Sequence, residues 1–591
     1  MANSFAYLML VCWPLVTLVL FRRLPLPQAL CWSVVAGYLL LPVRAGWNFP
    51  MIPTIDKTLI IGLSAAIMGA IMARQDKLAA ALPGLRTPPS PYTPAARMAG
   101  GLARQGHAGA PATIAPGPRR PGRGHDPQPR GRWLIYGLLV LLVLTPMATV
   151  MANGEPVRWG SRTLPGLQMY DALSIIARSV VNVLPFVLAM VFLRTHERHV
   201  ILLRVLAIAG ALYAGLALFE VRMSPQISIW VYGYFPHNWL QHVRGGFRPV
   251  VFLQHGLWLG VFLGTATLAA CVLWRQAIAD RIASRAWLWT ALWLGGVLLL
   301  SRNLGATFLV LVLAPVIVLT GLRTQAIVAA TIAGIVLSYP VLRSAGVVPT
   351  QTILSGFARI DAERADSLLT RITNEDRMLA HANDKPLTGW GGYGRNRVYD
   401  ERGRNITITD GAWIIILGTF GWFGYIAQFG LLTLPMILLA LRRREEVTTA
   451  TAGLMLISAL GLIDLLPNAT LTPVTWLIGG AVAGRYLLSV QPVAQDPRRP
   501  LGAGPGWGGV GPKPALTGGI TGPRGQMPGM AFSAPGTGPG MGAAPMNGTR
   551  MNGTMMPGGQ AAAGAVSGSR PGPAAAHVAG GPPRHQRRPR G

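Results

Sequence analysis

The chain has 591 residues, 51% of them hydrophobic and only 12% charged, with a mean hydropathy of +0.41. Soluble domains carry roughly twice that share of charge, ~25%, so the composition excludes an ordinary soluble domain. A net charge of +31 invites a nucleic-acid reading, but its placement argues against one: residues 74–132 carry ten Lys/Arg against two acids and the tail from Gln491 ten against one, together +17 of the +31.

Those two stretches are rich in Gly, Pro and Ala and cannot bury a core. They read as a disordered basic linker (74–132) and a disordered Gly/Pro-rich tail (490–591), both cytoplasmic and in reach of anionic lipid. Cys12, Cys31 and Cys271 lie in or beside apolar runs without ligand spacing. No cleavable signal peptide is expected, because the first apolar run lacks a basic leader and ends in a basic pair.

The apolar runs follow one another at loop-length intervals, most near the ~20 residues that cross a bilayer. In chain order they are Phe5–Phe21, Ala29–Val43, Thr58–Ala73, Trp133–Met151, Ala172–Leu193, Val200–Phe219, Val251–Trp274, Ala286–Leu300, Thr307–Leu322, Ala326–Leu342, Trp413–Leu441, Thr448–Leu466 and Pro473–Leu488. The expected fold is therefore all-α, a polytopic transmembrane bundle of about thirteen spans. It divides into N-terminal spans (1–73), the linker, spans 133–343 with an outer loop at 222–250, a loop domain at 344–412, C-terminal spans (413–489) and the tail. Under strict alternation the Lys/Arg-rich short loops all fall on one side, which the positive-inside bias makes the cytoplasm. The N-terminus and segment 344–412 then lie outside, and the C-terminus inside.

Segment 344–412 carries nine acidic and nine basic residues, close to half of the chain's 21 acids. Within 355–381, Leu368, Ile372 and Leu379 trace the apolar stripe of an amphipathic helix. Arg364 and Arg371, seven apart, share a face, with Glu375 one turn beyond Arg371 and Arg377 on another face. Arg371 or Arg377 binds a lipid-linked phosphate, or these charges are ion pairs on a solvated face. The glycine-dense KPLTGWGGYGRN (385–396) offers backbone N–H groups to an anion, although it is no nucleotide fingerprint. Asp410, where the chain re-enters the membrane, is read two ways: as a general base or acceptor-orienting group, or as a helix cap shared with Thr409.

The outer loop 222–250 is aromatic and basic, and its Arg222, Arg244 and Arg248 run against the positive-inside bias, which implies that they meet an anion. Arg302 sits in the tight turn SRNLG. Asp171 and Arg178, on one helix face, are expected to pair, and Asp464 is a further intramembrane acid. His237 and His255 are isolated in sequence, with structural roles expected, and no metal or cofactor is expected.

Three elements in this order resemble the bacterial O-antigen ligase and polysaccharide polymerase membrane family: RGGFRPVVFLQHG before a span, LLSRNLGATF at a turn between spans, and a large loop carrying R-x5-R and KPLTGWG that ends in GTFGWFGYIAQFG. The resemblance covers roughly residues 240–430. It implies a C-type glycosyltransferase-like architecture in the bacterial inner membrane. It also implies transfer of a glycan from undecaprenyl diphosphate to an acceptor glycan or lipid, without nucleotide sugar or obligate metal. By position it gives diphosphate-binding roles to Arg248, Arg302 and Arg371, with Arg377 as an addition. Many ligases carry a His, often followed by Asn or Ser, where this chain has Thr409-Asp410-Gly411, which favours a polymerase-like or divergent exopolysaccharide branch. Two other classes stay open on the sequence: a transporter or flippase of a lipid-linked saccharide, and a non-catalytic subunit of an exopolysaccharide complex.

Overall fold

A computed structural model describes residues 2–49, 53–81, 131–243, 245–281, 285–360, 362–408, 410–442 and 447–488. The expected disordered linker (82–130 of it) and the tail lie outside the described residues, as do Arg244 and Thr409.

Every one of the thirteen apolar runs forms a helix. In order these are α1 (Ser4–Arg23), α2 (Leu26–Leu40), α3 (Lys57–Ala81), α4 (Arg132–Met151), α5 (Met169–Phe192), α6 (His196–Met223), α9 (Gly256–Ala279), α10 (Ala286–Leu300), α11 (Leu304–Leu319), α12 (Leu322–Ser344), α15 (Ala412–Ala440), α16 (Thr449–Asp464) and α17 (Pro473–Leu487). Eight of them are long and apolar enough to cross a membrane. The others fall short on length: the 15 residues of α2, α10 or α17, at ~1.5 Å each, cover about 22 Å of a ~30 Å core.

The helices associate by close backbone approach. Gly480 and Gly484 form a G-x-x-x-G stripe on α17, and a Cβ there would stand 2.1 Å from the Phe186 carbonyl oxygen and 2.6 Å from that of Met190 on α5. Without a hydrophobic drive between helices in lipid, such small residues let backbones meet.

The connections at the other ends carry the remaining elements. Two-stranded hairpins form at β1–β2 (Gly46–Trp47, Ile55–Asp56) and β3–β4 (Val157–Trp159, Arg162–Leu164). Short helices α7 (Ile227–Tyr232) and α8 (Trp239–Val243) fold the 222–250 loop, and α13 (Thr350–Ile360) and α14 (Ala362–Asn383) fold the charged segment. The expected amphipathic helix is α14, with Met378, Leu379 and Ala382 buried beneath it.

Two expectations change here. The run at Val251 begins its helix only at Gly256, because residues 250–252 are held in a tight bend. The run at Trp413 is a broken helix. Gly421 takes φ +63° and ψ −161°, a region that is essentially glycine-only. The break frees backbone groups, and the glycine-dense turn answers them. Trp422 and Phe423 donate their amides to the Pro386 and Leu387 carbonyls (2.7 and 3.2 Å), while Trp390 and Gly391 donate theirs to Gly418 and Thr419 (2.9 Å each).

Candidate functional site

The site is assembled on the loop between α6 and α9. Glu220, fully buried near the end of α6, accepts three backbone amides: Ile227 on Oε1 (3.0 Å), and Val250 and Val251 on Oε2 (2.7 and 2.8 Å). It therefore fastens both ends of the loop. Val251 is held at φ +55°, a strained conformation for a β-branched residue, and Phe252 donates its amide to the Tyr213 hydroxyl (3.0 Å). The chain then reaches His255, whose Nδ1 accepts the Leu257 amide (3.0 Å) and caps α9.

This bend brings three histidines together. The His237–His255, His242–His255 and His237–His242 ring centroids are 4.5, 4.6 and 5.4 Å apart. One nitrogen from each ring lies within 4.8 Å of the others. The expectation of isolated histidines is thereby corrected. Spacings of five and thirteen residues across a loop, a short helix and a helix cap hid the cluster. Burial lowers all three rings' affinity for protons, and His255 falls to about 3 because His242, His237, Arg248 and Arg371 add to that burial. All three imidazoles are neutral at pH 7.

Two of the expected arginines act on this cluster. The Arg248 stem packs over the start of α9, where a Cβ on Gly256 would meet its Cγ at 2.9 Å. Arg371, on α14, stands close enough to bear on His255, and its Nε lies 3.6 Å from Asp410 Oδ2. The cap reading of Asp410 is not met. The N-cap of α15 is Gly411, with no side-chain cap bond, so Asp410 is an arginine partner, 40% exposed. Asp464 sets its position: it accepts from Thr470 and Asn468, and the turn it stabilises offers the Leu465 and Asn468 carbonyls to the Ala412 amide.

Arg302, at φ +58°, donates to the Gly245 carbonyl and lies against Gly246, beside the same loop. Arg377 is exposed and forms no ion pair among the described residues. Glu375 is raised to about 7, first by burial and against the pull of Arg343 and Arg371. Arg343 reaches Asp376 at 2.5 Å and ties α12 to α14.

The KPLTGWGGYGRN turn is structural. Besides the amides given to α15, its Lys385 donates to Ala152 O and Asn153 Oδ1 (2.8 and 2.9 Å). Its Arg395, only 1% exposed, donates to Trp390 O and Pro165 O (3.0 and 2.8 Å). Those groups are spent on the fold and do not cradle an anion. The expected Asp171–Arg178 pair is likewise replaced: Asp171 accepts the Gln168 amide in a capping box (2.8 Å), and Arg178 faces Asp56 at 3.7 Å.

Compared with models of known protein families, with curated proteins and with solved structures, the chain has no match. The assignment therefore rests on the site: two guanidinium groups, a carboxylate and three neutral imidazoles, converging from the 222–255 loop, α14 and the turn before α15.

Glu220 and the histidine trio are the features of the candidate site that the sequence reading missed. Glu220 left one signal, a lone acid directly after the apolar run Val200–Phe219, in ALFEVRM.

Proposed function

We propose that this is a bacterial inner-membrane glycan polymerase or ligase that works at the outer face on a lipid-diphosphate-linked donor. The single observation that carries the reading is the Arg371–Asp410 contact of 3.6 Å, formed beside His255 and Arg248. It sets a phosphate-binding cation next to a carboxylate that can face a hydroxyl.

In this reading Arg248 and Arg371 bind the donor diphosphate, because guanidinium groups stay charged and grip phosphate oxygens in a fork. The acceptor hydroxyl attacks the anomeric carbon. Its proton passes toward Asp410 while the bond from that carbon to the phosphate oxygen breaks. Negative charge then grows on the departing diphosphate, where preorganised cations lower the barrier. Arg302, held over Gly246, lines the approach to the loop. The donor arrives activated, so the reaction needs no nucleotide on that side. The positive-inside bias of the short loops supports putting segment 344–412 on the donor's side of the membrane in this reading.

The test is elongation of a synthetic undecaprenyl-diphosphate oligosaccharide by the purified chain in detergent, comparing wild type with Arg371→Ala, Arg248→Ala and Asp410→Asn. Elongation by wild type that the arginine variants lose supports the reading. Unchanged elongation in both arginine variants sinks it. Translocation of the lipid-linked saccharide across liposomes without elongation would assign the chain to the transporter class instead.

A further inference from the structure

We propose that His237, His242 and His255 form a binding site for one divalent cation of the zinc class, held by three imidazoles with a further coordination position open. The inference rests on the side-chain cluster alone and not on the transfer reaction, and it departs from the metal-free chemistry expected from the sequence.

Each ring meets what such a site requires. His242 donates Nδ1–H to the Asn238 carbonyl (3.0 Å), so its Nε2 keeps a lone pair. Metal-bound histidines commonly fix their second nitrogen in this way. That Nε2 receives only a long contact from the Gly256 amide, at 3.4 Å. The His237 Nδ1 is buried and has no hydrogen-bond partner among the described residues. A buried polar atom left unsatisfied is uncommon and costly, and a cation would answer it. His255 spends Nδ1 on the Leu257 amide. Binding a metal through either nitrogen of that ring gives up this cap bond and leaves the Leu257 amide to find another acceptor.

The chemistry of the donor set selects the ion. Three nitrogen ligands and no nearby thiolate suit zinc and its neighbours rather than calcium or magnesium, which take oxygen. On a tetrahedral zinc, with bonds of ~2.0–2.1 Å, two ligand nitrogens stand about 3.3 Å apart. The rings therefore close in by up to about 1.5 Å from their 4.8 Å limit. Their loop permits this: His237 lies between α7 and α8, outside any regular element. Arg44, Arg248 and Arg371 act on the cluster and oppose a second positive centre, while Asp410 offsets Arg371. The expected affinity is micromolar rather than that of a closed structural zinc site.

The test uses the full chain, purified without a polyhistidine tag, stripped with chelator and titrated with cobalt chloride as the spectroscopic stand-in for zinc. Expected are one cobalt per chain, visible d–d bands of tetrahedral or five-coordinate nitrogen ligation, and displacement by zinc. His237→Ala should weaken binding at least 100-fold. His237→Cys should restore it with a new sulfur-to-cobalt charge-transfer band, a readout that a purely structural histidine would not give. Absence of stoichiometric binding by the folded wild type, binding unchanged in His237→Ala, or a thiolate band in wild type from Cys12, Cys31 or Cys271 would each overturn the proposal. None of these outcomes depends on glycan transfer, so failure of one idea leaves the other standing.

Discussion

Replacing Glu220 should loosen the loop on which the site is built. The carboxylate takes one amide on Oε1 and two on Oε2. In Glu220→Gln the amide oxygen is best kept for the Val250–Val251 pair, which turns the new NH2 toward the Ile227 amide. One bond is lost, two donors face each other, and the remaining bonds lose their charge. A hydrogen bond to a charged group contributes about 1.5–3 kcal/mol, and an orphaned buried amide costs about 1–3, so the glutamine variant should lose about 2–4 kcal/mol locally. Glu220→Ala leaves all three amides unanswered and should lose more. Hydrogen exchange of the full chain in detergent reads this directly, at Ile227 in Glu220→Gln and at Ile227, Val250 and Val251 in Glu220→Ala. At tenfold per ~1.4 kcal/mol, exchange at Ile227 should quicken roughly 30- to 700-fold in Glu220→Gln, and all three amides should quicken further in Glu220→Ala. Amides as protected in Glu220→Ala as in wild type would refute the clamp.

Other consequences are open to measurement. Arg371→Ala should lower donor turnover about 10²–10³-fold, as loss of one transition-state donor does, with the protein still inserted; an equal loss in inserted protein and in polymer would instead mean misfolding. Gly421→Ala places a Cβ 2.4 Å from the Leu387 carbonyl in a conformation that alanine resists, and should cost about 2–4 kcal/mol; a melting curve overlying wild type would contradict this. Glu375 adds a pH dependence. Its carboxyl is raised from 4.5 to about 7, so the fold prefers it protonated. Its contribution is full below about pH 4.5 and lost as pH rises through 7. Glu375→Gln should flatten thermal stability across that window, a span of up to about 3 kcal/mol, and a slope equal to wild type would exclude the assignment.

The apolar runs made the helices legible, because length and hydropathy are local properties. What governs the site is not local. Asp410 could be read as a cap until the N-cap of α15 proved to be Gly411, and its partner Arg371, 3.6 Å away, comes from a separate helix. The break at Gly421 is invisible in a run where glycine is frequent, since only the turn at 386–391 makes it stable. The same contact explains why KPLTGWG resembled an anion cradle: a turn that offers amides to a broken helix and one that offers them to phosphate use the same glycines. The trio at 237, 242 and 255 depends on the Val251 bend, which a valine does not advertise.

The broken helix also constrains how the chain is assembled. Until Pro386–Gly391 docks, α15 carries unanswered amides and carbonyls on both sides of Gly421, and hydrocarbon offers them no partner. The 386–391 turn and α15 must therefore close together: the broken helix is complete only once the loop ahead of it has folded against both sides of Gly421.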